Sequence, residues 1–494
     1  MSHDGPARRV IAVAPLPPEK SAYALARYSR SADSIEDSLK WVHAHSSEKF
    51  WEQFYFAYGH ASIADLGHVI VCFEHISELA AIRLEDEPLW DGQAKSSRYQ
   101  NFGPSGCYAP NAIRGTETEA HYRGILNSLF SCYSQLHEPL KHYIAGKNPK
   151  PADMKEADYD RTIAARAFDV TRYLLPLAVR TNVGQVVSIR TLEKQITRLL
   201  SSQLPELQMI GEDLKDACQK PPMNIWGELS GQTTPVDPLA PTLARHARAN
   251  DYQSSVYVDL AKHAKEALKG TGLDEPGSWG TEEPVELIDA HHPLDELPAT
   301  LLYRVSQAPY RKILAVVKDW SEKQKQDTIE IGFRKRGPYD ELIKEFRSGY
   351  AFAFDILMDI GGWRDMHRHR RCQQVQQNFT TAHGYDVPPV LGEAGLEEDY
   401  RAAMNAVKED IEKLRKSSQE AALYAIPFGF KVRCLFKMDY AEAEYLSKLR
   451  SGVKGHWSYR IVAWQMKQQL AKRHPYLGGK IDATPPDIED NLTR

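Results

Sequence analysis

The chain has 494 residues, 42% hydrophobic and 26% charged, the make-up of a folded soluble protein with room for two or three domains of ~150 residues each. A formal net charge of -4 gives no bulk electrostatic case for a nucleic-acid binder, and no apolar run approaches the ~20 residues of a membrane span. The first twenty residues lack the apolar core and cleavage site of a secretory signal, so a cytoplasmic location is expected.

Val10 to Ala14 reads as a short strand closed by Pro15, Pro17 and Pro18. An Arg-x-Ser pattern follows at Arg27 and Ser29, then a charged, aromatic segment with helical spacing of its apolar residues. The stretch His68 to Leu84 is more apolar and leads to the polar cluster Gln93, Ala94, Lys95, Ser96, Ser97, Arg98, Tyr99, Gln100, Asn101. Two hydroxyls, a lysine and an arginine suit a phosphate, but on spacing alone an exposed loop is the better reading. A helical region with a proline-marked start at Leu174-Leu175-Pro176 carries Thr181, Asn182, Gln185, Ser188 and Arg190 into the helix-like Thr191 to Leu200. Read alone, Arg190 is a surface arginine.

From Pro221 to about Pro298 the chain is rich in Pro, Gly and acids, as connections are, with one helix expected at Leu260 to Leu268. The boundary is placed within residues 275–295. The same order of features then returns: Arg304 and Ser306, a charged helical segment, the apolar stretch Ala351 to Met366, a polar cluster, and a helical region marked by Pro427. The second polar cluster is the denser. Five consecutive residues, His367, Arg368, His369, Arg370 and Arg371, can carry positive charge beside Trp363 and the Gly361-Gly362 pair. Arginine's planar fork matches phosphate oxygens; charge alone suits an anion site and a solvated basic turn alike, and the neighbouring Trp363 and glycine pair favour the anion site. The six cysteines are scattered, without CxxC or metal-ligand spacing, and read as reduced thiols; no metal is expected.

Together these clusters resemble the flavin-dependent thymidylate synthases, whose signature is Arg-His-Arg, a seven-residue spacer, then Ser with an Arg-Tyr pair closely following. The second half keeps the opening, Arg368-His369-Arg370, but holds Asn378, Thr380 and Thr381 at the later positions. The first half keeps the ending, Ser96-Ser97-Arg98-Tyr99, and holds Asp86-Glu87-Pro88 where Arg-His-Arg would stand. Tyr58-Gly59-His60-Ala61-Ser62 resembles the family's Gly-His-x-Ser turn. Leu175-Pro176 through Arg190 resembles the stretch ending in a nucleotide-binding arginine, a place the count from Pro427 gives to Ala441. Arg450 through His456-Trp457 resembles a helix with an Arg and a later Gln-Trp pair.

The resemblance implies an α+β fold of two thymidylate synthase-like repeats, residues 1–275 and 295–480, each a mainly antiparallel sheet with long flanking helices. It implies one composite site that methylates deoxyuridine monophosphate with FAD, a reduced folate and NADPH. In it Arg368 and Ser96 carry the catalytic roles. His60, Arg368, His369 and Arg370 hold FAD, and Ser96, Ser97, Arg98, Tyr99 and Arg190 hold the nucleotide. A homodimer would reproduce the family's tetramer as a pseudo-tetramer. A flavoenzyme acting on another nucleotide and a catalytically inactive nucleotide-binding or scaffold protein remain open beside this reading.

Overall fold

A computed structural model describes residues 16–28, 34–57, 61–87, 89–103, 106–224, 229–231, 237–251, 254–255, 258, 284–288, 292–305, 310–334, 346, 352–490 and 492. The strand expected at Val10 to Ala14, the helix at Leu260 to Leu268, Ser29, Ser306 and His60 all lie outside the described residues.

Helices α1 (Pro18–Tyr28) and α2 (Ile35–Ala44) precede strand β1 (His68–Ser77) and helix α3 (Glu78–Glu85). Next come β2 (Asp91–Ala94), α4 (Glu117–Lys147), α5 (Glu156–Thr171), β3 (Arg180–Ser188), α6 (Ile189–Leu200) and α7 (Pro205–Gln219). The short α8 (Pro241–His246), β4 (Val285–Ile288), α9 (Pro293–Val305), α10 (Tyr310–Lys318) and α11 (Glu322–Phe333) follow. Then the earlier order returns: β5 (Phe352–Asp359), α12 (Ile360–His367), β6 (Gln373–Gln376), α13 (Glu397–Ser417), α14 (Gln419–Ala425), β7 (Lys431–Met438), α15 (Tyr440–Ser451) and α16 (Trp457–Arg473). One sheet has the order β1-β3-β2 and the other β4-β5-β7-β6; without β4 the two orders correspond. The fold is α+β and two-fold repeated.

Local chemistry explains the elements. In β5, Phe352, Phe354, Ile356 and Met358 are buried on alternate positions, the two-residue period of a strand with one face in the core. Its partners β4 and β7 are both antiparallel, with Phe354 opposite Leu287 and Phe436. In α6, Ile189, Leu192, Ile196 and Leu199 form the buried stripe of an amphipathic helix. Corresponding helices are capped alike: Ala80 N–H donates to Ser77 Oγ (2.9 Å) and Gly362 N–H to Asp359 Oδ1 (2.5 Å).

Two expectations need correction. Pro176 and Pro427 do not open helices. Each lies ahead of a strand, and helices α6 and α15 begin only after those strands end. Proline offers no N–H, so it fits the irregular approach to a strand. The connecting zone also holds β4, which lines the edge of β5 with Val285 and Leu287 buried. Four residues among prolines and acids give too short an alternation to stand out.

By compactness the chain divides into two units, one of residues 1–74, 84–93 and 183–267, the other of residues 75–83, 94–182 and 268–494. In the first, Glu19 of α1 is buried and accepts the N–H groups of Thr242 (2.8 Å) and Leu243 (3.2 Å) at the start of α8.

In the second unit the two copies meet through reciprocal backbone bonds. Leu177 N–H donates to Ile426 O (2.9 Å) and Phe428 N–H to Leu175 O (3.0 Å); Ala178 N–H donates to Tyr424 O (2.8 Å) and Gly429 N–H to Tyr173 O (2.9 Å). The strand-to-helix corners match as well, with Glu78 N–H on Val179 O and Ile360 N–H on Phe430 O, both at 2.9 Å. Tyr122 Oη donates to Tyr108 O (2.7 Å) as Tyr400 Oη donates to Asp386 O (2.9 Å). Gly106 and Gly384, at φ of 71° and 70°, occupy equivalent turns whose left-handed backbone favours glycine.

The second copy differs in an acid pair, the buried Asp359 and the half-buried Asp386. Burial, then the neighbouring Asp359, raise the carboxyl of Asp386 to about 7, against the opposing charge of Lys431. The native state then keeps a proton that the unfolded chain releases from pH ~4 upward. Stability is therefore expected to fall as pH rises from ~4 to ~7, and Asp386→Asn to remove most of that fall. Urea midpoints of both proteins across this pH range test the sign; equal pH profiles would refute it.

Candidate functional site

Of the residues expected to form a composite site, Ser96 to Tyr99 of the first copy and Arg368, His369 and Arg370 of the second lie in the second unit, where Arg98 and Arg368 both act on Asp365. Helix α12 ends at Arg368, the C-cap residue, which places Arg368, His369 and Arg370 on the turn leading to β6. Ser96 to Tyr99 occupy the turn after β2, where Arg98 N–H donates to Ser96 Oγ (3.3 Å). Ser97 is buried, Tyr99 is 54% exposed, and Arg98 is buried.

Arg98 is held on several sides. Its Nε donates to Asp169 Oδ1 (2.6 Å) and its Nη2 to Asp169 Oδ2 (3.1 Å), a bidentate pair with helix α5. Nη1 donates to Tyr459 Oη (2.9 Å) and Nη2 also reaches Lys454 O (3.3 Å). Burial works against the charge of Arg98, but Asp169 outweighs it and raises the pKa above its ordinary value.

Asp365 is the focus of the cluster. Arg172 Nη1 donates to its Oδ2 (3.3 Å). Burial would raise the Asp365 carboxyl, yet Arg172, then Arg368, Arg98 and Arg450 hold it well below the usual range. Within this group four guanidinium groups stand against the carboxylates of Asp169 and Asp365. Arg172 is itself buried, and Nε and Nη2 are enclosed without a hydrogen-bond partner.

His369 is buried. Its Nδ1 lies 2.9 Å from Glu442 Oε1, and Arg450 Nε donates to its Nε2 (2.8 Å). Burial, with Arg450, holds the ring below its ordinary pKa despite Glu442. His456 is a second buried neutral ring: Ser458 N–H donates to Nδ1 (3.3 Å), so Nε2–H donates to Asp169 O (2.8 Å). Burial, then Arg172, keep its pKa well below the usual value. It thereby ties α16 to α5. A cleft of about 350 Å³ is lined in part by Asp169, Trp457, Arg460 and Lys147.

Arg190 belongs to the first unit, where Nη1 donates to Asp65 Oδ2 (2.7 Å). It follows the capping residue Ser188 as Ala441 follows the capping residue Asp439, so the second copy lacks this arginine. Four cysteines offer no ready thiolate: burial pushes Cys107, Cys218 and Cys372 up to about 12 and Cys132 to about 11.

Asp365, Asp169, Arg172, Glu442 and Arg450 were not among the expected site residues. Asp365 had a signal, being the only acid between Trp363 and Asn378. The others lie far along the chain and meet only through the fold.

A UPF0159 protein of Chlamydia pneumoniae is 25% identical over 450 residues, covering 86% of this chain and 78% of its own. A flavin-dependent thymidylate synthase of Sulfolobus acidocaldarius is 24% identical over 170 residues, 32% of this chain and 65% of its own. A solved flavin-dependent thymidylate synthase of Helicobacter pylori, complexed with FAD and dUMP, matches 40% of this chain and 99% of its own at 16% identity and a TM-score of 0.29. The family described as thymidylate synthase complementing protein matches residues 10–220 and again 348–476, once in each copy. With most of its length so matched, and with the same strand order in both copies, the chain belongs to the flavin-dependent thymidylate synthase family.

Proposed function

We propose that the chain is a flavin-dependent thymidylate synthase-type enzyme with one composite site, binding deoxyuridine monophosphate and FAD and using a reduced folate and NADPH. The observation that carries this reading is the convergence of Arg98 from the first copy with Arg368 and Arg450 from the second around Asp365. A cluster so rich in guanidinium groups favours an anionic ligand, and a nucleotide phosphate is such a ligand. The exposed Arg370 and half-buried Arg368 suit the diphosphate of FAD, whereas the His369 ring is engaged by Glu442 and Arg450. Bound there, FAD supplies the redox chemistry. Arg368 orients the nucleotide and favours negative charge developing on its ring. Ser96 braces the turn that presents Arg98.

The repeats are assigned to residues 1–275 and 295–480, with two chains forming a homodimer; solution scattering from a lone monomer would refute the dimer. A cytoplasmic location is part of this reading; no helix among the described residues is long and apolar enough to cross a membrane.

The full chain is expected to take up FAD, with the absorption band of oxidised flavin, and to bind dUMP. Arg368→Glu should weaken both on the order of a hundredfold. Absence of flavin and dUMP binding in the native chain would refute the reading. A second reading, a nucleotide-binding protein without catalysis, is favoured by the bidentate grip of Asp169 on Arg98. Growth rescue of a thymidine-requiring strain separates the two.

A further inference from the structure

We propose that His369 is a positioning residue that, backed by Glu442, aims the guanidinium of Arg450 at the bound nucleotide. This rests on the reading above that the cluster takes a nucleotide. The Nε of arginine always carries its proton, so Arg450 can only donate to His369, and His369 Nε2 must present a lone pair. The single ring proton then sits on Nδ1 and points at Glu442 Oε1. One tautomer satisfies both contacts.

Glu442 is itself fixed. It is buried in the first turn of α15, and its N–H donates to the capping Asp439 Oδ1 (2.8 Å). The backbone of His369 is fixed too, since Cys372 Sγ (3.0 Å) and Gln374 Nε2 (3.3 Å) both donate to its carbonyl. Arg450, steered from behind, lies over the Tyr459 ring at 5.5 Å from its centroid. Tyr459 Oη in turn accepts from Arg98. A continuous path therefore runs from Glu442 through His369, Arg450 and Tyr459 to Arg98, joining the second copy's signature to the first's. An imidazole can hold a guanidinium this way only while neutral, which its burial favours.

The test combines a binding cycle with a spectroscopic one, both on the full chain with dUMP as the probe. His369→Phe and Arg450→Met should each weaken dUMP binding by about tenfold or more. Because His369 acts through Arg450, the double variant should bind no more weakly than Arg450→Met alone. Additive losses would overturn the proposal, as would an Arg450→Met protein that binds dUMP normally. Failure of the native chain to bind dUMP at all would sink the function reading first. In the native protein, labelled with ¹⁵N-histidine and assigned with His369→Gln, the ring should titrate as the Nδ1–H tautomer. Finding Nε2–H or a charged ring at neutral pH would overturn the relay while leaving nucleotide binding intact. This measurement stands even if His369→Phe does not fold.

Discussion

Arg98→Met is expected to lower stability by about 3–5 kcal/mol, because it takes the bidentate partner from the buried carboxylate of Asp169. Asp169 sits in α5 and meets Arg98 through a two-point contact at 2.6 and 3.1 Å. Removing both charges leaves no buried carboxylate short of its guanidinium, so Arg98→Met combined with Asp169→Leu should recover much of the loss. A shift of the urea midpoint measures this. A single variant as stable as the native chain would mean that Asp169 finds water or another cation. The result also bears on how the site is probed. Charge reversal at Arg98 would set two carboxylates together in the core and would report on folding. Reversal at the half-buried Arg368 reports on binding.

Arg364→Met is expected to cost a similar amount, about 3–5 kcal/mol. Arg364 of α12 pairs with Glu78 of α3, both almost wholly buried, and its guanidinium lies 4.8 Å from the centroid of Phe428. Glu78 and Ile360 are counterparts, since each follows its helix cap and donates its N–H to the equivalent carbonyl. Counting on four residues makes Arg364 the counterpart of Ile82. The molecule thus places a charge pair at one set of positions and buried isoleucines, Ile82 and Ile360, at the matching set. Glu78→Ile with Arg364→Ile would copy the apolar arrangement and should be near native stability or above it. If that double variant is as weak as the single one, shape rather than charge decides the contact.

How much of this was legible depends on distance along the chain. The alternation in β5, the stripe of α6 and the repeated order of features are local patterns, and the fold follows them. The count that gave Arg190 the counterpart Ala441 is confirmed by their shared place after Ser188 and Asp439. The Arg-His-Arg turn and the Ser-x-Arg-Tyr turn were visible as clusters. That they should meet was implied by the family resemblance alone, and the place of Asp365 between them was not visible, because it needs α5, α12 and α16 packed together. His369 shows the limit most directly. A histidine between two arginines reads as part of an anion site, yet its ring faces Glu442 and Arg450, 73 and 81 residues away. The prolines misled for a related reason. Pro176 and Pro427 bridge to each other, a contact between distant residues that no local pattern contains.

That central exchange of backbone bonds has a consequence for dilution. When two separate chains share a site, the site exists only while they are associated, and its occupancy falls with protein concentration. Here both halves of the contact lie on one polypeptide, so their encounter is first-order and set by an effective local concentration rather than by the amount of protein present. The cluster around Asp365 should stay assembled in a scarce protein. A single substitution also alters one copy alone, leaving its counterpart free to follow another course.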